Sequence, residues 1–200
     1  AHDLEKQFQD QEDVKKDIEL LSSQVERCNE ILKRLTLNPV EEDEFIDKDL
    51  TMRDYLSEII LSFKEISKKK FIFNFDQFSN VKKITKSIEI VYGLRNFIGN
   101  ANKFSKNSIY INLKSDSEFT EITIEDDGNG YPKDVLSKIG EPYLRSNDPI
   151  DKSKTGLGLG LFIGKTLLEK NFASINCRNS KTRTGAEVII KWNNKDLFNI

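Results

Sequence analysis

The chain has little of what marks a disulfide-rich, nucleic-acid-binding or membrane-spanning protein. Its 200 residues include only 2 cysteines, 1 histidine, 1 tryptophan and 4 prolines, and its net charge is −2. Cys28 and Cys177 are far apart, so they do not form the disulfide framework of a small secreted protein, and a reducing compartment fits. The weak net charge argues against a large nucleic-acid footprint. No apolar run reaches the ~20 residues of a membrane span.

The chain also lacks the easily recognised phosphate-binding loops. Its glycine-rich segment, 155–162, alternates glycine with leucine and has neither the Gly-Lys-Ser/Thr ending of a P-loop nor the dinucleotide-binding spacing. A helix running through Phe162, Ile163, Leu167 and Leu168 is predicted to follow it. Backbone N–H groups freed by the glycines, with a helix N-terminus behind them, favour an anion. A merely flexible glycine loop is the alternative.

A second segment places polar side chains on one helix face. The apolar residues between positions 84 and 104 recur at helical spacing: Ile84, Ile88, Val91, Leu94, Phe97, Ile98 and Ala101. Asn96 and Asn100 share a face, and Lys103 follows. Amide oxygens and an ammonium suit a hydrated Mg²⁺ and the phosphates that it bridges. A polar stripe facing solvent is the alternative.

A third segment joins a strand to a tight turn. A predicted strand over 120–125 leads into Asp126-Asp127-Gly128-Asn129-Gly130. Two glycines let the backbone turn closely against a flat ligand, and a buried carboxylate can accept a hydrogen bond from an adenine amino group. An ordinary Asp-rich and Gly-rich loop is the alternative.

In their order along the chain, the Asn-bearing helix, the turn at Asp126 and the glycine-rich segment 155–162 resemble the N, G1 and G2 boxes of one ATP-binding domain. Sensor histidine kinases, gyrase-type ATPases and Hsp90 chaperones share that domain, and the resemblance covers roughly residues 49–200. It implies an α+β protein of the Bergerat or GHKL type, an α/β sandwich in which three helices cover one face of a mixed sheet. Besides the elements above, the predicted elements are helix Met52–Lys68 and strands Phe71–Phe75, Ile109–Leu113, Ser174–Arg178 and Glu187–Trp192.

The resemblance also implies a role for each matching residue. Asn100 takes the place of the Mg²⁺-binding Asn, and Asn96 is a second polar contact to metal or phosphate. Lys103 takes the place of the phosphate-contacting Lys, and Phe104 that of the aromatic residue that packs against adenine. Asp126 matches the carboxylate that reads adenine. ATP and Mg²⁺ are therefore the implied ligands.

The glycines and the lid follow from the same resemblance. Gly128 and Gly130 would shape the turn after Asp126. The segment Gly140–Tyr143 resembles the start of the family's mobile lid, and 144–155 would be the lid itself. The phosphate loop would comprise Thr155, Gly156, Leu157, Gly158 and Gly160, the last at a position where these kinases often have Ala or Ser.

One absence separates the branches of the family. Hydrolytic members place a Glu four residues before the Mg²⁺-binding Asn, and this chain has Asn96 there. Without that general base, attack by water should be slow, and catalysis would rest on positioning and charge neutralisation. We therefore expect phosphoryl transfer to a protein side chain instead of an ATPase motor.

The N-terminal segment predicts a helix that associates with other helices. Apolar positions alternate in steps of four and three: Val14, Ile18, Leu21, Val25, Cys28, Leu32 and Leu35. We interpret 1–37 as part of a dimerising helical hairpin, mostly its second helix, 38–48 as a linker, and 49–200 as the ATP-binding domain. The completed hairpin would form a four-helix bundle in a homodimer. The alternative is one long helix packed on its own domain.

The histidine kinases carry their phospho-acceptor His on the first helix of such a hairpin. The only His here is His2, and Lys6-Gln7 stand where that family has Thr-Pro. A helix of matching length would have to begin upstream. We therefore expect that the acceptor His is not in this chain and that the chain does not phosphorylate itself.

Three further stretches, 23–32, 160–169 and 185–192, resemble the redox-responsive regulators of the RegB/PrrB/ActS type. Their redox-active Cys lies in the second hairpin helix, where Cys28 matches it. Neighbouring Arg27 and Lys33 could favour its thiolate. The alternative is that Cys28 is a small core hydrophobe.

The function implied is that of a catalytic fragment of a two-component sensor histidine kinase. It would pass the γ-phosphoryl group of ATP to a His and then to an Asp of a response regulator. An upstream membrane sensor would place it on the cytoplasmic side of a bacterial inner membrane, with no direct contact to nucleic acid. Two alternatives remain: a nucleotide-gated dimerisation module without transfer activity, and a serine-directed anti-sigma-type kinase of the same fold.

Overall fold

The structure, a computed structural model, describes residues 50–76, 83–84, 87–144 and 158–198. They belong to one compact unit, Lys48–Ile200. Their strands are β1 Leu50–Thr51, β2 Lys70–Phe75, β3 Lys83–Ile84, β4 Ser108–Ser115, β5 Phe119–Asp126, β6 Ser174–Asn179 and β7 Ala186–Asn193. Their helices are α1 Met52–Ile66, α2 Ile88–Phe104, α3 Lys133–Leu136, α4 Gly160–Lys170 and α5 Asn194–Leu197.

The main sheet has five strands in the order β2-β4-β5-β7-β6. Only the β2–β4 pair is parallel, so the sheet is mixed, as predicted. Strands β1 and β3 form a separate antiparallel pair. The predicted α/β sandwich is confirmed, and four predicted strands of the main sheet lie within one residue of the observed ends.

One face of the sheet is buried under the long helices α1, α2 and α4. Side chains of alternate residues point to that face, and those that are nearly inaccessible to solvent are Ile109, Ile111, Leu113, Ile122, Ile124, Val188, Ile190 and Trp192. Helix α1 begins with a capping box in which the side chains of Thr51 and Asp54 bond to each other's backbone N–H. No helix among the described residues is long and apolar enough to cross a membrane.

The two predicted long helices differ from the structure at one end each. Helical spacing placed Ile84 in the second helix, but Ile84 pairs with Leu50 in the small sheet. The helix begins only at Ile88, after Ser87 caps it by accepting a hydrogen bond from the Ile90 N–H at 3.3 Å. Helix α1 ends at Ile66, before the predicted Lys68, because Ser67 has an extended backbone.

Candidate nucleotide-binding site

The C-terminal half of α2 carries the amides predicted to face Mg²⁺. Asn96 and Asn100 are both half-buried. The Nδ2 of Asn96 donates to the Tyr92 carbonyl at 2.8 Å. This bond fixes the amide with its Oδ1 toward the start of α4, where a Cβ on Gly160 would lie 3.6 Å from it. An amide oxygen held beside a glycine-rich helix start fits a hard cation that bridges to phosphate.

Glycines bring α2 and α4 unusually close together. A Cβ added at Gly93 would lie 2.5 Å from Leu168 Cγ, and one added at Gly164 would lie 3.1 Å from the Cβ of Asn96. The two helices therefore approach to a distance that larger residues would not permit. This packing sets the position of Asn96 relative to the first turn of α4.

The end of α2 meets the turn that follows β5. A Cβ on Gly128 would overlap the carbonyl oxygen of Phe104, so only glycine allows this approach. Phe104 is half-buried, and the Lys103 ammonium lies 5.1 Å from its ring centroid. Lys69 supports this helix end by donating to the carbonyls of Asn102 and Ser105. The predicted phosphate and adenine contacts are thereby held beside the turn of Asp126.

Asp126 is the last residue of β5 and is only 3% exposed. Its Oδ1 accepts from the Gly128 N–H at 2.7 Å and from the Ala186 N–H at 3.3 Å. Burial raises the pKa of this carboxyl above its usual 3.8, although these two hydrogen bonds pull it down. Both of these hydrogen bonds use Oδ1 and not Oδ2.

The first turn of α4 has the properties of an anion site. The helix begins at Gly160 after Leu159, with no side-chain cap and no acidic residue in its first turn. Such uncapped N–H groups favour a phosphate. Gly158 has φ +71°. It approaches Leu144, the first residue of the predicted lid segment, whose N–H donates to the Gly158 carbonyl at 3.2 Å.

Four predicted site residues lie outside the described residues. They are Thr155, Gly156 and Leu157 of the glycine loop and the redox candidate Cys28. The residues that the structure does bring together are those of α2, of the Asp126 turn and of the start of α4. Gly130 lies at the end of that turn with φ +77°, a conformation that favours glycine.

Residues 85–196 of the chain match the family described as histidine kinase-, DNA gyrase B- and HSP90-like ATPase. The chain belongs to this family. The sensor histidine kinase RegB of Cereibacter sphaeroides is 30% identical over 216 aligned residues, which cover 96% of this chain and 45% of RegB. The chain thus spans less than half the length of this relative. The recognition of a sensor histidine kinase catalytic domain is confirmed.

Solved structures of this ATPase family support the fold. The mycobacterial sensor histidine kinase MprB matches with a TM-score of 0.61 and 19% identity, covering 72% of this chain and 96% of its own. Full-length ShkA in complex with AMPPNP matches with a TM-score of 0.60 and 17% identity, covering 72% of this chain and 30% of its own.

Sequence reasoning missed the structural role of Asp127 in this ATPase domain. Its carboxylate accepts from the N–H groups of Lys106, Asn107 and Ser108, at 2.8–3.1 Å. Burial raises its pKa, but these hydrogen bonds outweigh burial and hold the pKa below its usual value. Asp127 therefore ties the G1 turn to the connection between α2 and β4. The consecutive residues Asp126 and Asp127 were the sequence feature that could have indicated this role.

The hairpin between β6 and β7 was also missed. Glu125, which is 7% exposed, accepts from the hydroxyls of Ser180 and Thr182 at 2.7 and 3.2 Å. Its other oxygen lies 3.6 Å from Arg183 Nε, so three hairpin residues are held by one carboxylate. This anchoring sets Gly185 directly against Asp126. Nothing in the local sequence pattern indicates that Gly185 and Asp126 lie against each other.

Proposed function

We propose that this domain binds Mg-ATP and transfers its γ-phosphoryl group to a His on a dimerisation helix, from which a response-regulator Asp receives it. The observation that carries this proposal is Asn96, an amide held by its bond to Tyr92 at the place where hydrolytic relatives have a Glu. An amide orients metal and phosphate but cannot deprotonate water. The side chain therefore supports transfer to a protein acceptor.

The nucleotide would lie between α2, the Asp126 turn and the start of α4. Oδ2 of Asp126 would accept from the adenine amino group, and Phe104 would pack against the base. Lys103 and the first N–H groups of α4 would neutralise phosphate charge. Asn100 and Asn96 would hold Mg²⁺ through their amide oxygens. The metal, when bound, neutralises charge that develops on the transferred group.

Transfer in trans tests this proposal directly. The chain would be incubated with γ-labelled ATP and the full-length protein carrying Asp126→Asn, which supplies acceptor helices but no competent ATP site of its own. We expect label on the full-length protein that is lost in acid and survives base, as a phosphohistidine does. The same chain with Asp126→Asn serves as the matched control and should give no label.

Other outcomes would favour the alternatives. Acid-stable label would identify a hydroxyl acceptor and favour the serine-directed kinase. ATP binding without any transfer would favour the nucleotide-gated module. Rapid release of free phosphate without labelled protein would contradict the role assigned to Asn96.

Dimerisation and redox control are proposed from the resemblance to RegB. We propose that oxidation links two chains through Cys28. Cys177 is the internal control, because burial raises the pKa of its thiol to about 11 and little thiolate is present at neutral pH. Mild oxidation and non-reducing electrophoresis should show a covalent dimer that Cys177→Ala retains. A dimer that persists in Cys28→Ala would contradict the proposal.

The cellular setting is also proposed from this resemblance. The domain would lie on the cytoplasmic side of an inner-membrane sensor protein, with a response regulator docking on the hairpin helices. A pull-down of candidate receiver domains by the full-length dimer would test that docking. Equal capture by a protein without residues 1–37 would contradict it.

A further inference from the structure

Strand β2 forms one edge of the main sheet, and within the part of the chain that the structure describes no strand pairs with its outer side. At its ends, the Lys70 N–H donates to the Asn107 carbonyl at 2.8 Å and the Asp76 N–H to the Leu113 carbonyl at 3.3 Å. Backbone groups of successive residues in a strand point to opposite sides, so those of residues 70, 72, 74 and 76 face β4. The residues whose N–H and C=O groups face outward are therefore Phe71, Phe73 and Phe75.

This free edge is apolar. Between Lys70 and Asp76 the strand contains three phenylalanines, one isoleucine and one asparagine, with no charged residue and no proline. Phe75 is 42% exposed, although its ring lies 5.4 Å from that of Phe73 and 3.9 Å from the guanidinium of Arg53. Edge strands are usually protected against pairing by charges, proline or a bulge. The middle of β2 has no such charge or proline.

The strand is complementary to itself in antiparallel pairing. If Phe73 lies opposite Phe73 of a second copy, then Phe71 lies opposite Phe75, and all three outward-facing residues exchange N–H···O bonds with the second copy. The same register sets Lys70 opposite Asp76 in a non-hydrogen-bonded pair, where side chains come closest and opposite charges attract. A shift of the register by two residues would separate these charges.

We propose that two copies of this chain associate through β2, with a two-fold axis at Phe73 that joins their sheets into one. Pairing would place Phe71 of one copy beside the exposed ring of Phe75 of the other. This contact goes beyond the proposed phosphotransfer and does not use residues 1–37. It leaves the Asp126 turn open, because β4 lies between β2 and β5.

Cysteine cross-linking reads the proposed register directly. Two forms of the chain would be made in a Cys28→Ala background, one with Ile72→Cys and the other, isotope-labelled, with Asn74→Cys. In this register, positions 72 and 74 of two copies are opposite each other with Cα atoms about 4.5 Å apart, which a disulfide can bridge. Position 72 lies about 7–8 Å from position 72 of the second copy, as does 74 from 74, and a disulfide does not bridge that distance without backbone movement.

The two forms would be mixed at high concentration and oxidised mildly, because an interface of one strand from each copy is small and weak. Mass spectrometry should find links between positions 72 and 74 about tenfold more often than links between two identical positions. Yields in the statistical ratio of random collision would overturn the proposal. So would a predominance of links between identical positions, or no cross-link at all.

The pairing of Lys70 with Asp76 gives a second readout. Lys70→Glu, introduced into both forms, puts a carboxylate opposite Asp76 and should lower the yield of the link between positions 72 and 74 about threefold. Lys68→Glu is the matched control, because it makes the same charge change at an exposed lysine that precedes the paired residues. We expect it to leave the yield unchanged. Equal yields in the two glutamate variants would contradict the proposed register and overturn the proposal.

Discussion

Gly185 lies against Asp126 so closely that a Cβ at position 185 would overlap both the carbonyl oxygen and Oδ1 of Asp126. The next residue, Ala186, donates its N–H to the same Oδ1 at 3.3 Å. Gly185 and the first residue of β7 therefore hold the side chain of Asp126, the predicted adenine-reading carboxylate, in place. The hairpin that leads to Gly185 is anchored by Glu125, the neighbour of Asp126 in β5.

Gly185→Ala should damage both stability and nucleotide binding. The added methyl group forces Asp126 or β7 to move, at a cost of about 1–3 kcal/mol of unfolding free energy. ATP affinity should fall as well, because the carboxylate shifts. Urea unfolding and calorimetry measure the two effects.

Gly160→Ala is the matched control for Gly185→Ala. Its Cβ would meet only Asn96 Oδ1, at an ordinary 3.6 Å. We expect an unfolding free energy within about 0.5 kcal/mol of wild type. Equal stability of the two alanine variants would contradict the close approach of Gly185 to Asp126.

Asp127→Ala should destabilise the domain by about 1–3 kcal/mol near neutral pH, because three backbone N–H groups lose a charged acceptor. The direction in which this stabilisation changes with pH follows from the lowered pKa of Asp127. Its contribution is complete above the usual value of 3.8 and is lost as the pH falls through the lower folded-state value. Urea unfolding across the acid range should therefore show the two proteins converging. The exposed Glu65→Ala is the control, and a gap that widens toward low pH would count against this role.

The neighbouring carboxyl should respond to pH in the opposite direction. Burial raises the pKa of Asp126 above 3.8, so its ionised form costs stability, and protonation relieves that cost. Wild type should therefore gain unfolding free energy relative to Asp126→Asn as the pH falls through the raised value. Paired urea titrations of the two proteins measure this difference, and a gain on raising the pH instead would refute the buried-charge assignment.

Gly93→Ala should push apart α2, which carries Asn96, and α4, whose first turn is the proposed phosphate site. Its methyl group would press on Leu168, and we expect a loss of about 1–3 kcal/mol. Leu168→Ala alone should cost about 2–5 kcal/mol. The double variant should lose less than the sum, because the smaller side chain makes room for the methyl group. Strict additivity in urea unfolding would contradict direct packing.

Gly99→Ala on the same helix is the control for Gly93→Ala. A Cβ there would meet only the Phe63 ring, 3.3 Å away at its Cζ. Alanine also favours a helix interior over glycine by up to about 1 kcal/mol. We therefore expect no comparable loss of stability for Gly99→Ala.

The sequence predicted the main sheet and the long helices because their side-chain periods are local properties. The site roles of Asn96, Lys103 and Asp126 remain predictions, and they rest on spacing that follows a family motif. Ile84 was misplaced, since its apolar side chain fits a helical period but its backbone pairs with Leu50. That pairing depends on a distant segment and leaves no local signal.

The supporting contacts of the site could not be predicted for the same reason. Asp127 and Gly185 act through neighbours that are distant in sequence, at Ser108 and Asp126. Motif spacing describes the residues that would contact the ligand. The residues that position them follow only from the tertiary structure.

Titration calorimetry of the chain with ATP, with and without Mg²⁺, beside Asp126→Asn, tests the central claim most directly. The variant keeps an oxygen for the N–H groups of Gly128 and Ala186 but replaces the adenine acceptor with a donor. We expect Mg²⁺-dependent binding to wild type and a loss of about 1–3 kcal/mol of binding free energy in the variant. Equal ATP affinity of a folded variant and wild type would contradict the assignment of this pocket.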